Sequence, residues 1–422
     1  MDKMKWFEDA RYGLFIHWGL YAIPAGNWRG QEIHGGTEWI MKNAQIPFEE
    51  YSALADSFNP VRFDADEWMR MAKEEFGVRY VVFTAKHHDG FAMYDSACSD
   101  YNIMHTPYGK DVVRQLAAAC EKYGLVFCVY YSQLQDWAEK NGFGNTWDFG
   151  PEAEKDFRKY LDEKVKPQLR ELLTQYGKIG LVWFDTPYEM KKEHCAELVD
   201  FVRALQPDCL INGRIGYNLG DYRQTSDNSI PILAYPDPWE ACMTLNHTWG
   251  YRAEDNHWKS PKHVVRMLAE IVGKGGNLLL NAGPDASGII PSESVEIFKT
   301  VGAWLKENGE SIYGASAAPD FPYKLEWGCF TYKPQTKTLY MHVVEWPYKN
   351  HGICVVGLMT KVKRARLLKT GEEIPFVQTY ETARDEYRLR PVLPSEAPDE
   401  LDTVIAFDLE DDPIIQDIVD RR

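Results

Sequence analysis

One strand-like run of the sequence ends on a carboxylate. Residues 180–190, GLVWFDTPYEM, predict a buried β-strand in which Asp185 follows four apolar residues in five. Four other strand-like runs end in polar or aromatic side chains, at His17-Trp18-Gly19, Lys86-His87-His88-Asp89-Gly90, Tyr130-Tyr131-Ser132, and Asn212 with Arg214. The carboxyl ends of parallel barrel strands share one rim, where active sites form. We therefore expect these side chains to meet in one pocket, although an Asp can also cap a helix and a single His can be structural.

The types and spacing of these residues do not favour a metal site. His87 and His88 are adjacent in a strand, so their side chains diverge and are poorly placed to share one ion. The chain also lacks G-x-S-x-G, P-loop and H-E-x-x-H motifs. What remains is hydrogen bonding by His, Tyr, Arg and Trp around a carboxylate, as in glycoside hydrolysis, which needs a second carboxyl group. We expect no metal and no cofactor, with a metal-dependent barrel hydrolase as an alternative.

Six strand-like runs alternate with amphipathic helical patterns over three quarters of the chain. The runs are residues 12–19, 79–88, 125–132, 180–185, 209–214 and 277–284, and the helical patterns cover 64–77, 110–124, about 151–176, 194–207 and 260–276. Strands that are apolar on both faces and alternate with such helices indicate a parallel sheet covered by helices. We predict an α/β fold with a (β/α)₈ TIM-like barrel over residues 1–315, its two remaining strands lying between Asn212 and Gly250. The alternative, an open doubly wound sheet, lacks a G-x-G-x-x-G after the first strand.

The pattern changes after the barrel. Residues 316–422 contain short alternating segments such as CFTYKPQTKTLYMHVVEW and DTVIAFDLE, broken by Gly, Pro and Lys-Thr turns. This pattern predicts a C-terminal antiparallel β-domain, which we interpret as a β-sandwich.

Composition narrows the possible partners and compartment. The 422 residues carry a net charge of −16, which disfavours nucleic acid and anionic membranes as partners. The eight cysteines are scattered singly, so reduced thiols are expected rather than a disulfide framework. The N-terminus, MDKMKWFEDARYG, lacks the apolar region of a secretory signal, so we expect a cytoplasmic protein unless a signal was removed. The sequence leaves open whether the chain forms a homo-oligomer.

Several motifs in this order resemble one enzyme family. The chain resembles the retaining α-L-fucosidase family of glycoside hydrolases in motifs spread from Trp6 to Gly314: WFEDARYGLFIHWGLYAIPA, TEWI, TAKHHDGFAMYDS, VYYSQLQDW, VWFD, INGR, WEACMTLNHTWGY, GGNLLLNAGPDASGIIP and WLKENGESIYG. The resemblance implies an exo-acting enzyme that removes terminal α-L-fucose from a fucosylated oligosaccharide or glycoconjugate through a covalent glycosyl-enzyme. A catalytically impaired sugar-binding protein on the same scaffold is the alternative.

The resemblance also implies roles for individual residues. Asp185 would be the nucleophile, and Trp249 would lie against the apolar face around the fucose methyl group. The other residues that match substrate-binding positions of the family are His17, Glu38, Trp39, His87, His88, Tyr131, Trp183 and Arg214.

The general acid/base is less sharply implied. The family often places a Glu in a T-x-E segment, and here the corresponding segment QTSDNSIP offers Asp227. Glu240 in PWEACM is the alternative, and the motif position favours Asp227. A second departure is Thr186-Pro187 after the nucleophile, where the family more often has Gly or a similarly small residue. We therefore do not infer substrate preference on the aglycone side from the resemblance.

Overall fold

Eight parallel strands form one curled sheet in the computed structural model, which describes residues 3–348 and 351–417. The strands are β1 (Tyr12–Ile16), β2 (Tyr80–Lys86), β3 (Val126–Tyr131), β4 (Leu181–Phe184), β5 (Leu210–Ile211), β6 (Arg223–Gln224), β7 (Trp239–Met243) and β8 (Gly276–Ala282). Their order is β5-β4-β3-β2-β1-β8-β7-β6. A parallel bridge between Asn212 and Tyr222 joins β5 to β6, the two ends of this sheet. The sheet is a TIM-like barrel, as predicted.

Each predicted strand run overlaps one of these strands, and β6 and β7 lie between Asn212 and Gly250, where two more strands were expected. A small hairpin, Asn27–Trp28 with Gln31–Glu32, follows β1. Within the described residues 212–238, the connections after β5 and β6 contain no α-helix. This departure from the ideal (β/α)₈ pattern explains the poor periodicity of that segment, because no helix there imposes a 3.6-residue repeat.

Eleven α-helices are present in the described residues. They are α1 (Lys5–Ala10), α2 (Ile40–Asn43), α3 (Phe48–Ser52), α4 (Ala65–Met71), α5 (Val112–Tyr123), α6 (Thr146–Phe149), α7 (Phe157–Tyr160), α8 (Lys166–Gln175), α9 (Lys192–Leu205), α10 (Pro261–Gly273) and α11 (Ser292–Asn308). All five predicted helical patterns overlap one or two of these helices.

Local signals set the ends of the crossover helices. The side chains of Asp111 and Ser260 each accept a hydrogen bond from the backbone N–H three residues further on, at the starts of α5 and α10. Helix α5 ends at Gly124, whose φ of 65° is a left-handed conformation that glycine adopts without strain. These ends determine where the next strand begins and hence which residue stands at its carboxyl end.

The two faces of each barrel strand pack against different partners. Along β3, Cys128 and Tyr130 point into the barrel, where they join an aromatic core that includes Phe15 and Trp183. Phe127, Val129 and Tyr131 belong to the larger core between the sheet and its helices. This two-residue alternation decides which side chain of a strand end reaches the pocket and which supports the barrel from outside.

Two antiparallel sheets follow the barrel. Their strands are β9 (Ser316–Ala317), β10 (Gly328–Lys333), β11 (Thr338–Val343), β12 (Val355–Val356), β13 (Val362–Leu367), β14 (Phe376–Glu381), β15 (Glu386–Pro391) and β16 (Thr403–Leu409). The sheets have the orders β9-β10-β11-β16-β13 and β12-β15-β14, and residues of both contribute to one apolar cluster. Residues 418–422 of the predicted C-terminal domain lie outside the described residues.

The C-terminal sheets contact the last barrel helix and the turn after it. Trp304 of α11 donates a hydrogen bond from Nε1 to the carbonyl oxygen of Asp402 at 2.9 Å. Thr331 donates from Oγ1 to the carbonyl oxygen of Ser311 at 2.7 Å. Among the described residues, no helix is both long enough and apolar enough to cross a membrane.

Candidate active site

A cavity of about 110 Å³ lies at the carboxyl ends of the barrel strands. We call it the pocket, and its lining residues are Phe15, His17, Glu38, Trp39, His87, Tyr130, Trp183, Asp185, Thr186, Tyr188, Arg214, Asp227 and Trp249. A larger cavity of about 580 Å³ lies at the opposite, amino-terminal end of the barrel, next to Arg79 and Gly124. We assign the active site to the smaller cavity because the catalytic groups of such barrels project from the carboxyl ends of the strands.

Asp185 stands directly after β4 and is almost completely buried. Its Oδ1 accepts a hydrogen bond from Arg214 Nη1 at 2.9 Å, and its Oδ2 accepts one from Tyr130 Oη at 3.0 Å. Burial alone would raise the pKa of this carboxyl, but the charge of Arg214 and the hydrogen bond with His88 hold it well below its usual range. Asp185 is therefore an anion at neutral pH, facing a cavity.

Arg214 links Asp185 to a second carboxylate of the pocket. Its Nη2 contacts Oδ1 of Asp227, and its guanidinium lies 4.8 Å from the ring centroid of Trp183. The planar guanidinium presents its nitrogens in a rigid fork, so it fixes the two carboxyl groups relative to each other. The residues expected to act as nucleophile and as acid/base are thus brought to one pocket by one cation.

His17, at the end of β1, is held as a neutral imidazole with a defined tautomer. Its Nδ1 lies 2.7 Å from Oδ1 of Asn281, whose Nδ2 donates to the carbonyl oxygen of Trp249. The amide oxygen can only accept, so Nδ1 carries the proton and Nε2 keeps a lone pair. Burial lowers the pKa of His17 to about 3. Its Nε2 can therefore accept a hydrogen bond from a ligand hydroxyl.

The adjacent histidines after β2, His87 and His88, contact different neighbours. His87 lines the pocket and stacks on Tyr130 with ring centroids 5.1 Å apart, and its buried Nδ1 has no hydrogen-bond partner in the described part of the chain. His88 lies behind the pocket lining, with Nε2 3.5 Å from Asp185 Oδ2 and Nδ1 2.7 Å from Ser132 Oγ. Burial lowers the pKa of both rings. His87 can thus meet a ligand, whereas His88 supports Asp185.

Glu38 and Trp249 form the side of the pocket opposite β4. The carboxylate of Glu38 accepts a hydrogen bond from the backbone N–H of Gly250 at 3.0 Å, so it holds the loop that presents Trp249. Burial raises the pKa of Glu38 to about 7, against the opposing effect of the Gly250 hydrogen bond. The Trp249 ring lies over His17 with centroids 5.1 Å apart. An indole face beside hydroxyl-binding groups suits a sugar ring.

Trp183 and Trp39 supply further apolar surface in the pocket. Trp183 stacks on Tyr130 with centroids 5.5 Å apart and forms part of the floor. Trp39 meets His88 edge to face at 4.9 Å. Both were expected near the ligand, and both line the pocket.

Glu240 lies deeper in the barrel than the pocket. It is fully buried in β7, where it accepts hydrogen bonds from Tyr80 Oη at 2.6 Å and Trp183 Nε1 at 2.9 Å. Burial raises the pKa of Glu240 to about 7 although these donors oppose the shift. Glu240 is not among the lining residues, whereas Asp227 is, with half of its side chain exposed. Of the two acid/base candidates, only Asp227 can meet a ligand directly in this arrangement.

Two predicted binding residues do not line the pocket: His88, which lies behind Asp185, and Tyr131, which points out of the barrel. The Tyr131 hydroxyl donates to Gln168 Oε1 of α8 at 2.8 Å, outside the barrel. Its neighbour Tyr130 lines the pocket instead. This corrects the expectation for Tyr131, and the reason is the strand alternation, which turns consecutive residues to opposite faces. Cys128 lies two residues before Tyr130 and also faces the barrel interior, as the same alternation requires.

Thr186 and Tyr188 also line the pocket, although sequence analysis gave them no binding role. Thr186 has a φ of 46°, unusual for a β-branched residue, and its Oγ1 accepts a hydrogen bond from Gln135 at 2.9 Å. The Tyr188 side chain is 66% exposed.

An ionised carboxylate at the strand ends of a TIM-like barrel, with a second carboxylate on the same arginine among imidazoles and indoles, defines a glycoside hydrolase site.

Comparison with known proteins gives the family. The model for "Alpha-L-fucosidase" matches residues 1–310. The chain belongs to the α-L-fucosidase family of glycoside hydrolases, as its motifs predicted. Plasma α-L-fucosidase of Rattus norvegicus is 30% identical over 382 residues, 81% of this chain and 77% of the relative.

Solved structures agree with this assignment. The α-L-fucosidase from Vibrio sp. strain EJY3 has a TM-score of 0.92 and 34% identity, covering 98% of this chain and 74% of that chain. The α-L-fucosidase AlfC from Lactobacillus casei, solved in complex with its α-L-fucose product, has a TM-score of 0.70 and 40% identity. It covers 74% of this chain and 100% of its own.

Proposed function

We propose that this enzyme hydrolyses terminal α-L-fucosides with retention of configuration, through a covalent glycosyl-enzyme on Asp185. The observation that carries the proposal is the environment of Asp185, which is buried, ionised and held by Arg214 and Tyr130 at the pocket. A nucleophile must be ionised and fixed in direction before substrate arrives, and these contacts meet both conditions.

In the first step, an Asp185 oxygen attacks the anomeric carbon of fucose while the bond to the leaving oxygen breaks. Asp227 gives a proton to that oxygen. In the second step, Asp227 removes a proton from water, which attacks the same carbon and releases Asp185. Two displacements on one carbon restore its configuration. The shared contact with Arg214 supports this pairing, because retaining enzymes keep their carboxyl groups only about 5 Å apart.

The remaining lining residues bind the sugar in this proposal. His17 Nε2 accepts a hydrogen bond from a hydroxyl group, and His87 and Glu38 bind further hydroxyl groups. Trp249 and Trp39 cover C–H surface of the ring. The floor, closed by Phe15 and Trp183, leaves room for one sugar at a chain end, which supports exo action on a fucosylated oligosaccharide or glycoconjugate. The leaving group then lies at the rim, near Asp227 and Tyr188.

Covalent trapping tests the nucleophile and the stereochemistry together. A 2-deoxy-2-fluoro-α-L-fucosyl fluoride should inactivate the enzyme and add one deoxyfluorofucosyl group to the peptide containing Asp185, identified by mass spectrometry. Proton NMR during hydrolysis of an aryl α-L-fucoside should show α-L-fucose before mutarotation. β-L-Fucose as the first product, or a label on another carboxylate, would refute the proposal.

The chemistry proposed for this pocket uses no metal ion or cofactor. Nδ1 of His17 and Nδ1 of His88 are already engaged by Asn281 and Ser132, which leaves their other nitrogens for hydroxyl or carboxylate contacts. Exhaustive treatment with EDTA should leave kcat and KM for an aryl fucoside unchanged. A loss of rate that added zinc restores even after His247 and His257 are replaced by Ala would point to metal-assisted hydrolysis in the pocket instead.

We also propose that the chain divides into a catalytic barrel, residues 1–315, and a C-terminal β-sandwich, residues 316–422. In support, the family model ends at residue 310 and the whole of AlfC matches 74% of this chain. The apolar cluster shared by the two antiparallel sheets suits a sandwich. Limited proteolysis should first cut near residue 316 or within the C-terminal loops, and cuts confined to the barrel would contradict the boundary.

A further inference from the structure

The loop between β7 and α10 carries three potential metal ligands besides Trp249. They are His247, Asp255 and His257, and one ligand atom from each lies within 4.8 Å of the others. Both imidazoles are exposed, at 71% and 75% of their side-chain surface, whereas the carboxylate of Asp255 is buried. None of the three lines the pocket.

Asp255 is held in one orientation by the loop backbone. Its Oδ2 accepts a hydrogen bond from the backbone N–H of His247 at 2.7 Å, and its Oδ1 accepts one from that of His257 at 3.2 Å. The carboxylate thus joins the two limbs of the loop. Carboxylate oxygens can each accept more than one contact, so both still have lone pairs free.

The imidazoles approach this carboxylate at distances that suit shared ligands. His257 Nδ1 is 3.5 Å and His247 Nδ1 is 3.9 Å from Asp255 Oδ1, longer than an ordinary hydrogen bond. The two rings stack almost parallel with centroids 4.9 Å apart. Ligands about 2.0–2.1 Å from a tetrahedral ion lie roughly 3.3 Å apart, so small side-chain rotations would bring the three atoms onto one ion.

We propose that His247, Asp255 and His257 bind one divalent transition-metal ion, with Zn²⁺ as the ion that suits two imidazole nitrogens and one carboxylate oxygen. Water completes the coordination, because the imidazole side of the site is open to solvent. The net charge of −16 also favours accumulation of cations near the protein.

Metal binding at this site would stabilise the loop that shapes the pocket. His247 precedes Trp249 by two residues, and the next residue, Gly250, donates its backbone N–H to Glu38. An ion bound to His247 and His257 would tie the two limbs of the loop by bonds stronger than the Asp255 hydrogen bonds. The ion has a structural role here and takes no part in bond cleavage.

The test uses full-length protein without a polyhistidine tag, stripped with EDTA and returned to buffer. Isothermal titration with ZnCl₂ should show one site per chain, and Zn²⁺ should raise Tm by several degrees. His247→Ala and His257→Ala should each weaken Zn²⁺ binding by about tenfold or more, since even partners of metal ligands matter that much. The double variant should show no titratable site and no rise in Tm.

The matched control is the double variant His34→Ala/His351→Ala, which removes two exposed histidines elsewhere. It should bind Zn²⁺ like the wild type. Cobalt gives a second readout, since Co²⁺ in a site with nitrogen ligands should produce visible absorption in the wild type and the control but not in the His247/His257 double variant. Failure of the wild type to bind Zn²⁺, or unchanged affinity and stoichiometry in that double variant, would overturn the proposal.

Discussion

Asp185 and Asp227 contact the same guanidinium, yet 11% of the Asp185 side chain is exposed and 50% of that of Asp227. Asp185 belongs to the floor of the pocket, where Tyr130, His88 and Arg214 hold it from three sides. Asp227 belongs to the rim, on the helix-free connection between β6 and β7. The floor therefore fixes a charge before substrate binds, whereas the rim leaves its carboxyl group accessible to water and to the leaving group.

The same contrast separates the histidines and tyrosines of the site. His17 on the floor has its tautomer set by Asn281 and its pKa lowered by burial. Tyr188 on the rim is mostly exposed and follows the strained Thr186. The comparison teaches that the floor is preorganised for one sugar and that the rim is where different leaving groups can be accommodated.

The largest expected effect comes from removing the floor carboxylate. Asp185→Gly should lower kcat for an aryl α-L-fucoside by roughly 10⁴-fold or more, as expected for loss of a nucleophile. Azide fits the space left by the carboxylate, so it should restore part of the rate and give the inverted fucosyl azide. Steady-state kinetics and NMR of the product measure both effects.

The matched control for this variant is Asp89→Asn. Asp89 is a buried carboxyl three residues after β2 that accepts a hydrogen bond from Tyr51, and burial raises its pKa to about 7. It does not line the pocket, so its amide variant should keep most of the activity. Substantial azide-independent turnover by Asp185→Gly would remove Asp185 from the nucleophile's role.

The second largest expected effect contrasts Asp227 at the rim with Glu240, which lies below the pocket. Asp227→Asn should slow hydrolysis of a sugar-linked fucoside by roughly 10²–10⁴-fold, because a poor leaving group needs a proton. Fucosylation by an activated aryl fucoside should slow much less, and the alkaline limb of the pH profile should disappear.

Glu240→Gln provides the comparison for Asp227→Asn. It should change both substrates to a similar degree, because Glu240 contacts Tyr80 and Trp183 below the pocket. A leaving-group-dependent loss in the Glu240 variant alone would transfer the acid role to Glu240. Such a loss in both variants would mean that the two carboxyl groups titrate as a pair.

The strand-end residues of the site could be proposed from the sequence, and so could Asp227 at the rim, but the loop residues Thr186 and Tyr188 could not. His17, His87 and Asp185 stand at ends of strands that a run of apolar residues reveals, and parallel topology then brings them together. Tyr131 was selected by its match to a family motif, and such a match does not show that this strand turns Tyr130, and not Tyr131, into the pocket. The φ of Thr186 and the exposure of Tyr188 depend on loop packing, and no periodic pattern encodes that.

A smaller effect is expected at the mouth of the pocket. The exposed ring of Tyr188 can stack on the sugar that leaves, a contact of about 1 kcal/mol. Tyr188→Ala should therefore lower kcat/KM roughly fivefold for a fucosyl disaccharide and leave fucosyl fluoride nearly unaffected. Tyr348→Ala, at an exposed tyrosine of the connection between β11 and β12, should change neither. Equal losses on both substrates would show that Tyr188 acts on the fucose and not on the leaving group.

The last expected effect is on stability and concerns Glu240. Its pKa is raised from 4.5 to about 7 in the folded state, so between these values the folded protein holds a proton that the unfolded chain releases. Raising the pH through this window therefore destabilises the fold, by up to about 3 kcal/mol. Asp185 has the opposite sign, because its lowered pKa contributes stability that is lost on acidification.

Urea unfolding of the wild type and Glu240→Gln at pH 4.5, 6 and 8 isolates this effect, since Glu38 and Asp89 titrate in both proteins. The glutamine carries no titratable proton, so the free energy of unfolding of the wild type should fall relative to that of the variant as the pH rises. Parallel curves would mean that Tyr80 and Trp183 compensate fully for burial of the charge, and Glu240 would then resemble Asp185, a buried carboxylate kept ionised by its donors.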